Sequence, residues 1–337
     1  MDIKALKNRL DELKIPDYRL KQALRSYYQE YQNGWQDIST WSKNLREACM
    51  DISWSPLELE QKIKAHKKDS TKYLFKTKDE KFIESVLMEH EDGRTTVCVS
   101  SQIGCAMNCT FCATGALGYK RNLTAEEIVD QVVQIARDIK TQGKKVTNIV
   151  FMGMGEPFNN PDEVFVAIKK LMDKELFGLG ARHISVSTCG IIPGIQRLMR
   201  ETPQVNLAIS LHAPNQKLRE KLMPIAKAYP LNKLMQALGV YMQQTNRKVM
   251  FEYLLIKGVN DSLECADELI HLLSEKKQLV HVNLIKYHAT GTYQPSPEGM
   301  RRLFQDRLRK FSISVTHRVS FGEDISAACG QLAAKKS

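Results

Sequence analysis

The hydrophobic pattern of the chain changes period twice. Up to about residue 75, leucines recur at three- and four-residue spacing (Leu6, Leu10, Leu13; Leu20, Leu24), the period of short amphipathic helices, with breaks at Pro16 and Asn33-Gly34. From Tyr73 to Val99 the residues alternate and are rich in Phe, Val, Ile and Thr, which predicts two or three strands around a Glu91-Asp92-Gly93 turn. Beyond that, apolar runs of strand length alternate with amphipathic stretches. Strands are expected at 146–153, 183–187, 205–211, 248–256, 281–285 and 312–319, and helices at 124–140, 162–173, 231–244, 262–275 and 297–311. Thr124-Ala-Glu-Glu127 is a capping box that starts the first of these helices.

Regular strand-then-helix alternation predicts a parallel sheet covered by helices, and six such units are too few for an eight-stranded barrel. The expected fold is α/β, a partial (β/α)6 barrel with a small N-terminal helical accessory domain and its site at the carboxyl ends of the strands. The expected organisation is an accessory domain over 1–75, linker strands over 76–98, the barrel over 99–325 and a C-terminal loop and tail over 326–337.

Composition narrows the class. Among 337 residues, 49 Lys+Arg against 38 Asp+Glu give a net charge of +11, which favours a polyanionic partner. A 43% hydrophobic, 26% charged composition excludes a disordered chain. No apolar run approaches the roughly 18 residues of a membrane helix, so no membrane partner is expected. The N-terminus lacks the apolar core of a signal peptide, and a cytoplasmic location is expected. Lys62, Lys64, His66, Lys67 and Lys68 form a basic run that reads equally as a phosphate contact or a solvated helix face.

In a reducing compartment the eight cysteines are not expected to form structural disulfides, and clustered ones point to metal or catalysis. Cys105, Cys109 and Cys112 stand in a C-x3-C-x2-C spacing, three thiolates from one short loop with no fourth cysteine close by. A zinc ribbon normally brings two C-x2-C pairs and a conventional ferredoxin cluster four cysteines. Three ligands leave one iron of a 4Fe-4S cluster open, which is what a radical enzyme needs to hold S-adenosylmethionine (SAM). A zinc site completed by Cys98 or a distant cysteine, in a non-catalytic RNA-binding module, is the alternative.

The runs SSQIGCAMNCTFCATGALGYKRNLTAEEIVDQV, FMGMGEP at 151–157, SLHAPN at 210–215 and the terminal AACGQLA resemble, in order, the radical-SAM RNA adenine methyltransferases of the RlmN/Cfr family. The resemblance implies that Cys105, Cys109 and Cys112 bind a 4Fe-4S cluster. It implies that Gly155 and Glu156 hold the SAM amino group, and that Ser187, Ser210, Leu211 and His212 contact its ribose and methionine parts. His288 and Ala289 stand where the family has Asn and Pro, so His288 takes the place of a last nucleoside contact.

For the chemistry, the resemblance implies two SAM per turnover. One methylates Cys329; cleavage of the other gives a radical that takes a hydrogen from that methyl group, and the methylene radical adds to an adenine ring carbon. Cys98 is the resolving thiol, forming a transient disulfide with Cys329 as methylated RNA leaves, and Glu84 is the base. Read from its strand alone, Cys98 is an inert core thiol. Cys49, Cys189 and Cys265 match no catalytic position.

The implied substrates are a 23S rRNA adenosine of the peptidyl-transferase centre and the adenosine 3' of the tRNA anticodon. An electron donor such as flavodoxin or ferredoxin is implied, and a monomer is expected. Gly155-Glu156-Pro157 and the GCAM start of the loop resemble the class that methylates carbon 2 (C2). The IPDYR, PQVNL and HVNLIKY segments resemble the antibiotic-resistance class that methylates carbon 8 (C8), and C2 is the favoured expectation.

Overall fold

In the computed structural model, which describes residues 1–288, 290, 291 and 293–333, the leucine period gives three N-terminal helices. These are α1 (Ile3–Glu12), α2 (Tyr18–Tyr28) and α3 (Lys43–Glu47). Asp2 caps α1 by accepting the Ala5 N–H at 2.9 Å, and Leu6 and Leu10 face inward. The helices enclose an aromatic group in which the Trp35 and Trp54 rings meet edge to face at 4.8 Å.

The helical reading of residues 57–75 needs correction. The chain turns there into β1 (Leu57–Lys64) and β2 (Ser70–Thr77), an antiparallel pair. The cause lies in exposure: within β1 only Leu57 is buried, so there is no apolar alternation to read. The basic run is the end of this strand and its turn, not a helix face. Lys62 there is paired with Asp138 at 2.5 Å.

Next come β3 (Phe82–Glu89), β4 (Thr95–Cys98), the short β5 (Gln102–Gly104), α4 (Ala113–Ala116), β6 (Tyr119–Asn122) and α5 (Ala125–Lys140). Then follow β7 (Asn148–Phe151), α6 (Pro161–Met172), β8 (Ile184–Thr188), α7 (Ile192–Glu201), β9 (Asn206–Ser210), α8 (Gln216–Leu222) and α9 (Leu231–Thr245). The chain continues with β10 (Val249–Leu255), α10 (Leu263–Leu273), β11 (Val280–Lys286), α11 (Glu298–Lys310) and β12 (Val315–His317).

Ten strands form one sheet in the order β1-β2-β3-β4-β7-β8-β9-β10-β11-β12, antiparallel up to β4 and parallel from β4 onward. The fold is thus α/β, with six strand-to-strand crossovers, and β4 opens the parallel set. Among the described residues β1 and β12 do not pair, so the sheet stays open.

The capping box of α5 is formed: Thr124 Oγ1 accepts the Glu127 N–H at 3.2 Å and the Glu127 carboxylate accepts the Thr124 N–H at 2.9 Å. Buried Asp130 of α5 accepts hydrogen bonds from the Tyr27 and Ser55 hydroxyls and, at 3.1 Å, from the Leu57 N–H, tying the N-terminal helices to the sheet. Among the described residues no helix is long and apolar enough to cross a membrane.

Candidate active site

The parallel strands deliver their chemistry at their carboxyl ends. After β7 the chain is drawn over β4: Gly153 N–H donates to Val99 O at 3.0 Å and Met154 N–H to Ser100 Oγ at 2.9 Å. Gly155 then takes a φ of +97°, and a Cβ there would lie 2.5 Å from Gln102 Cβ, so both conformation and space demand glycine. This aims Glu156 inward. Its carboxylate accepts the Phe158 N–H at 3.0 Å and the Cys189 N–H at 2.7 Å. Burial pushes its pKa up while those two donors oppose the rise. A buried carboxylate with lone pairs to spare suits an ammonium ligand.

The cysteine loop lies between β5 and α4. Its entry needs Gly104, since a Cβ there would lie 1.8 Å from Gly118 O. Cys105 N–H donates to Gly118 O at 3.2 Å, Thr110 N–H to Leu222 O at 3.0 Å and Cys112 N–H to Cys109 O at 3.2 Å. Burial pushes the Cys105 thiol up to about 12 and that of Cys109 well above its usual range. Thiols so desolvated ionise when a cation replaces the proton.

Cys105, Cys109 and Cys112 line one cavity together with Glu156, Ser187 and Ser210. A 4Fe-4S cluster takes one thiolate per iron, so three thiols from one short loop on one cavity wall fit three of its irons and leave the fourth open.

Ser187 of β8 and Ser210 of β9 stand with hydroxyl oxygens 3.3 Å apart on the same cavity. His212 also lines it, in a left-handed conformation (φ +55°), with Nδ1 accepting the Leu254 N–H at 3.1 Å. Burial, reinforced by Arg219, pushes the His212 pKa down to about 3, so the ring is neutral with its proton on Nε2. Leu211 is wholly buried and absent from the cavity lining; it contributes backbone, its N–H donating to Glu252 O at 3.1 Å.

A second cavity adjoins the first, with apolar walls from Val86, Met88, Val319 and Phe321. Cys98, the last residue of β4, lies in it, and burial pushes that thiol up to about 12. Cys329 lines both cavities. The loop carrying Cys329 is held from three sides. Ala113 N–H donates to Gly330 O at 2.8 Å, the Thr114 hydroxyl to Leu332 O at 2.7 Å, and Ala333 N–H to Glu84 Oε2 at 2.8 Å. Cys98 and Cys329 are free thiols here.

Two expected residues sit elsewhere. Glu84 is 2% exposed, forms an ion pair with Lys72 at 3.1 Å, anchors the tail through Ala333, and lines neither cavity. His288 lines the second cavity and not the first. Its Nε2 is 3.0 Å from Ser320 Oγ, and its Nδ1 is 3.3 Å from Glu323 Oε1 without hydrogen-bond geometry. Burial pushes the His288 pKa down. Ala289 lies outside the described residues.

Three residues without an expected role belong to the site. Cys189 braces Glu156 through its N–H; Glu252 and Arg318 face each other across the cavity floor at 3.5 Å. Glu252 carried a legible signal, as a single charge inside the apolar run VMFEYLL.

Comparison with known proteins agrees with this geometry. The model of the Radical SAM superfamily matches residues 99–273, and with it come a 4Fe-4S cluster and SAM as cofactors. A "Ribosomal RNA large subunit methyltransferase Cfr" of Clostridium botulinum is 41% identical over 333 residues, 97% of this chain and 95% of that protein. A "Probable dual-specificity RNA methyltransferase RlmN" of Geobacillus kaustophilus is 44% identical over 337 residues, covering 97% and 91%. The crystal structure of a radical SAM methyltransferase from Sphaerobacter thermophilus superposes with a TM-score of 0.95 at 43% identity, over 99% of this chain and 98% of that one. With its cysteine loop, strand-end carboxylate and near-terminal cysteine converging on one site, the chain belongs to the RlmN/Cfr family of radical SAM methyltransferases.

Proposed function

We propose that this protein methylates C2 of an adenosine in the peptidyl-transferase centre of 23S rRNA, and of the adenosine 3' of the tRNA anticodon. The observation that carries this reading is the place of Cys329, on the wall common to the cysteine-loop cavity and the cavity holding Cys98. A residue that accepts a methyl group on one side and passes it to a base on the other must face both.

When bound, the cluster and SAM supply a carbon-centred radical by one-electron cleavage of SAM. The chain's own residues do the rest. Glu156, with the close approach that Gly155 permits, binds the SAM amino group, and Ser187, Ser210 and His212 orient the remainder. The apolar second cavity receives an adenine turned out of its stack, which excludes water from the reacting carbon. The Cys98 thiolate attacks the Cys329 sulfur, and the sulfur–sulfur bond forms as the sulfur–carbon bond of the RNA adduct breaks; the freed carbon keeps that electron pair and takes up a proton to become the methyl group. That disulfide is two electrons more oxidised than the thiols, so a thiol reductant restores Cys98 and Cys329 between turnovers. Glu84 takes the proton from the attacked carbon once the tail N–H of Ala333 releases it. Residues 1–75 and the +11 net charge serve RNA binding. A flavodoxin- or ferredoxin-type donor, a monomeric state and a cytoplasmic location complete the reading.

The C8 reading is favoured by one observation, the relatives named Cfr at 39–41% identity over nearly the whole chain. The support for C2 is the 43–44% identity to relatives named as methyltransferase N or RlmN, and Pro157, which follows Glu156 and starts the short turn whose Phe158 N–H the carboxylate accepts. Mass spectrometry of 23S rRNA from a methylase-null host expressing the chain decides. 2-Methyladenosine is expected; a methyl group on C8, or an unmodified base, overturns the C2 assignment.

A further inference from the structure

Arg318 is the single lysine or arginine among the described residues lining either cavity, and it lines both. It directly follows β12, and its N–H donates to Leu284 O at 2.9 Å, which fixes where the side chain starts. Its Nη1 lies 3.2 Å from Met152 Sδ and 3.5 Å from Glu252 Oε2. Glu252 is itself fixed: Asn283 Nδ2 donates to its Oε1 at 2.9 Å, and the Thr316 hydroxyl donates to Asn283 Oδ1 at 2.9 Å. The guanidinium is thus braced on one face. Its other electrostatic partners are the two sulfurs, Cys329 foremost and then Cys98.

A 3.5 Å contact through one nitrogen uses little of what a guanidinium offers, since it carries five N–H donors and a permanent charge. Cys98 lies in the opposite situation. It closes β4 between Val86 and Val150, is 8% exposed, and burial works against its ionised form. The charged and titratable groups around it are Arg318, Cys329 and, lining the same cavity, Cys112 and His288, with Glu252 behind Arg318. Burial lowers the His288 pKa, so Arg318 is the permanent positive charge on this wall.

We propose that Arg318, braced by Glu252, is a positioning residue for the sulfur pair, holding the Cys98 side toward Cys329 and supplying the fixed positive charge against which the Cys98 thiolate forms. This inference rests on the assignment of Cys98 as the resolving thiol. Arg318 shares the second cavity with both sulfurs, and Glu252 sets how much of its charge they receive. A purely structural ion pair would behave otherwise. Loss of either partner would then loosen the same floor, and both losses would act on the sulfurs in the same direction.

The test reads the thiol and not the turnover. The full-length protein is loaded with its cluster under anaerobic conditions and treated with iodoacetamide from pH 6.5 to 9.5. Alkylation of Cys98 is followed by peptide mass spectrometry, with the part-exposed Cys265 as an internal reference. In Arg318→Met, Cys98 alkylation is expected to fall about tenfold at fixed pH, equivalent to one unit of thiol pKa, while Cys265 is unchanged. Arg318→Lys, which keeps the charge, is expected to stay within about threefold of the parent. In Glu252→Gln the guanidinium is less compensated, and Cys98 alkylation is expected to rise. These opposite signs are the signature of an electrostatic role. Unchanged Cys98 rates in both variants, or a change of the same sign in both, overturns the proposal. Failure of the resolving assignment itself reads differently: Cys98→Ala then gives no RNA adduct although the alkylation shifts persist.

Discussion

The two cavities that meet at Cys329 are built on different principles. The first is made from the carboxyl ends of β7, β8 and β9 and a short glycine-bounded loop, where backbone hydrogen bonds place Glu156, Ser187, Ser210 and three thiols. The second borrows its floor from β3 and β4 and is closed by the C-terminal segment, hung on a few contacts from Ala113, Thr114, Glu84 and His288. On the proposed reading, the reactive species forms where backbone hydrogen bonds fix the residues, and the base enters where the C-terminal segment closes the cavity.

Three tests break or sharpen this contrast. Cys105→Ala removes one thiolate from the first cavity; iron is expected to fall from about four per chain to a trace and methylation to vanish, measured by iron analysis and rRNA mass spectrometry. Retained iron would mean that another residue completes the site. Lys72→Met attacks the anchor of the second cavity by removing the ammonium that pairs with buried Glu84. It is expected to cost about 3 kcal/mol in urea unfolding, most of it recovered in Lys72→Met with Glu84→Gln. A single variant as stable as the parent would show that the pair does not anchor the tail.

The smallest effect is one of pH. His212 is buried and neutral, with a folded pKa pushed down to about 3 from an ordinary 6.5. Its contribution is therefore complete above pH 6.5 and lost as pH falls from there toward 3, because only the unfolded chain takes up the proton in that window. His212→Gln, whose side-chain oxygen can accept the Leu254 N–H, is expected to flatten the urea-midpoint profile between pH 6.5 and 4.5. Parallel profiles would contradict the burial argument.

The same contrast decides how much of the molecule could be read from its sequence. The parallel strands β7 to β11 were legible because each sets buried apolar residues in a run of strand length, with β10 buried almost throughout. β1 was not, since most of it is exposed and its charges imitate a helix face. α7 and α8 escaped notice as short helices in long polar connections. In the site, the cysteine spacing was legible by itself because one loop carries it, while GMGEP, weak alone, gained its meaning from the family resemblance. The second cavity was not legible. Cys98 and Cys329 are far apart in sequence and meet only through the tail, and residue type alone could not say that Glu84 would face Lys72 or that His288 would turn toward Ser320. Arg318 was invisible for the same reason, its meaning lying in Glu252 and the two sulfurs.

The central claim is that Cys329 carries the transferred carbon from one cavity into the other and Cys98 releases it. It is tested most directly by expressing Cys98→Ala with its RNA substrate, digesting the purified protein with nuclease and protease, and sequencing the cross-linked peptide by mass spectrometry. The account predicts an adenosine joined through one carbon to the sulfur of Cys329, absent when Cys329→Ala is added. An adduct on any other residue, or full turnover in Cys98→Ala without an adduct, would contradict it.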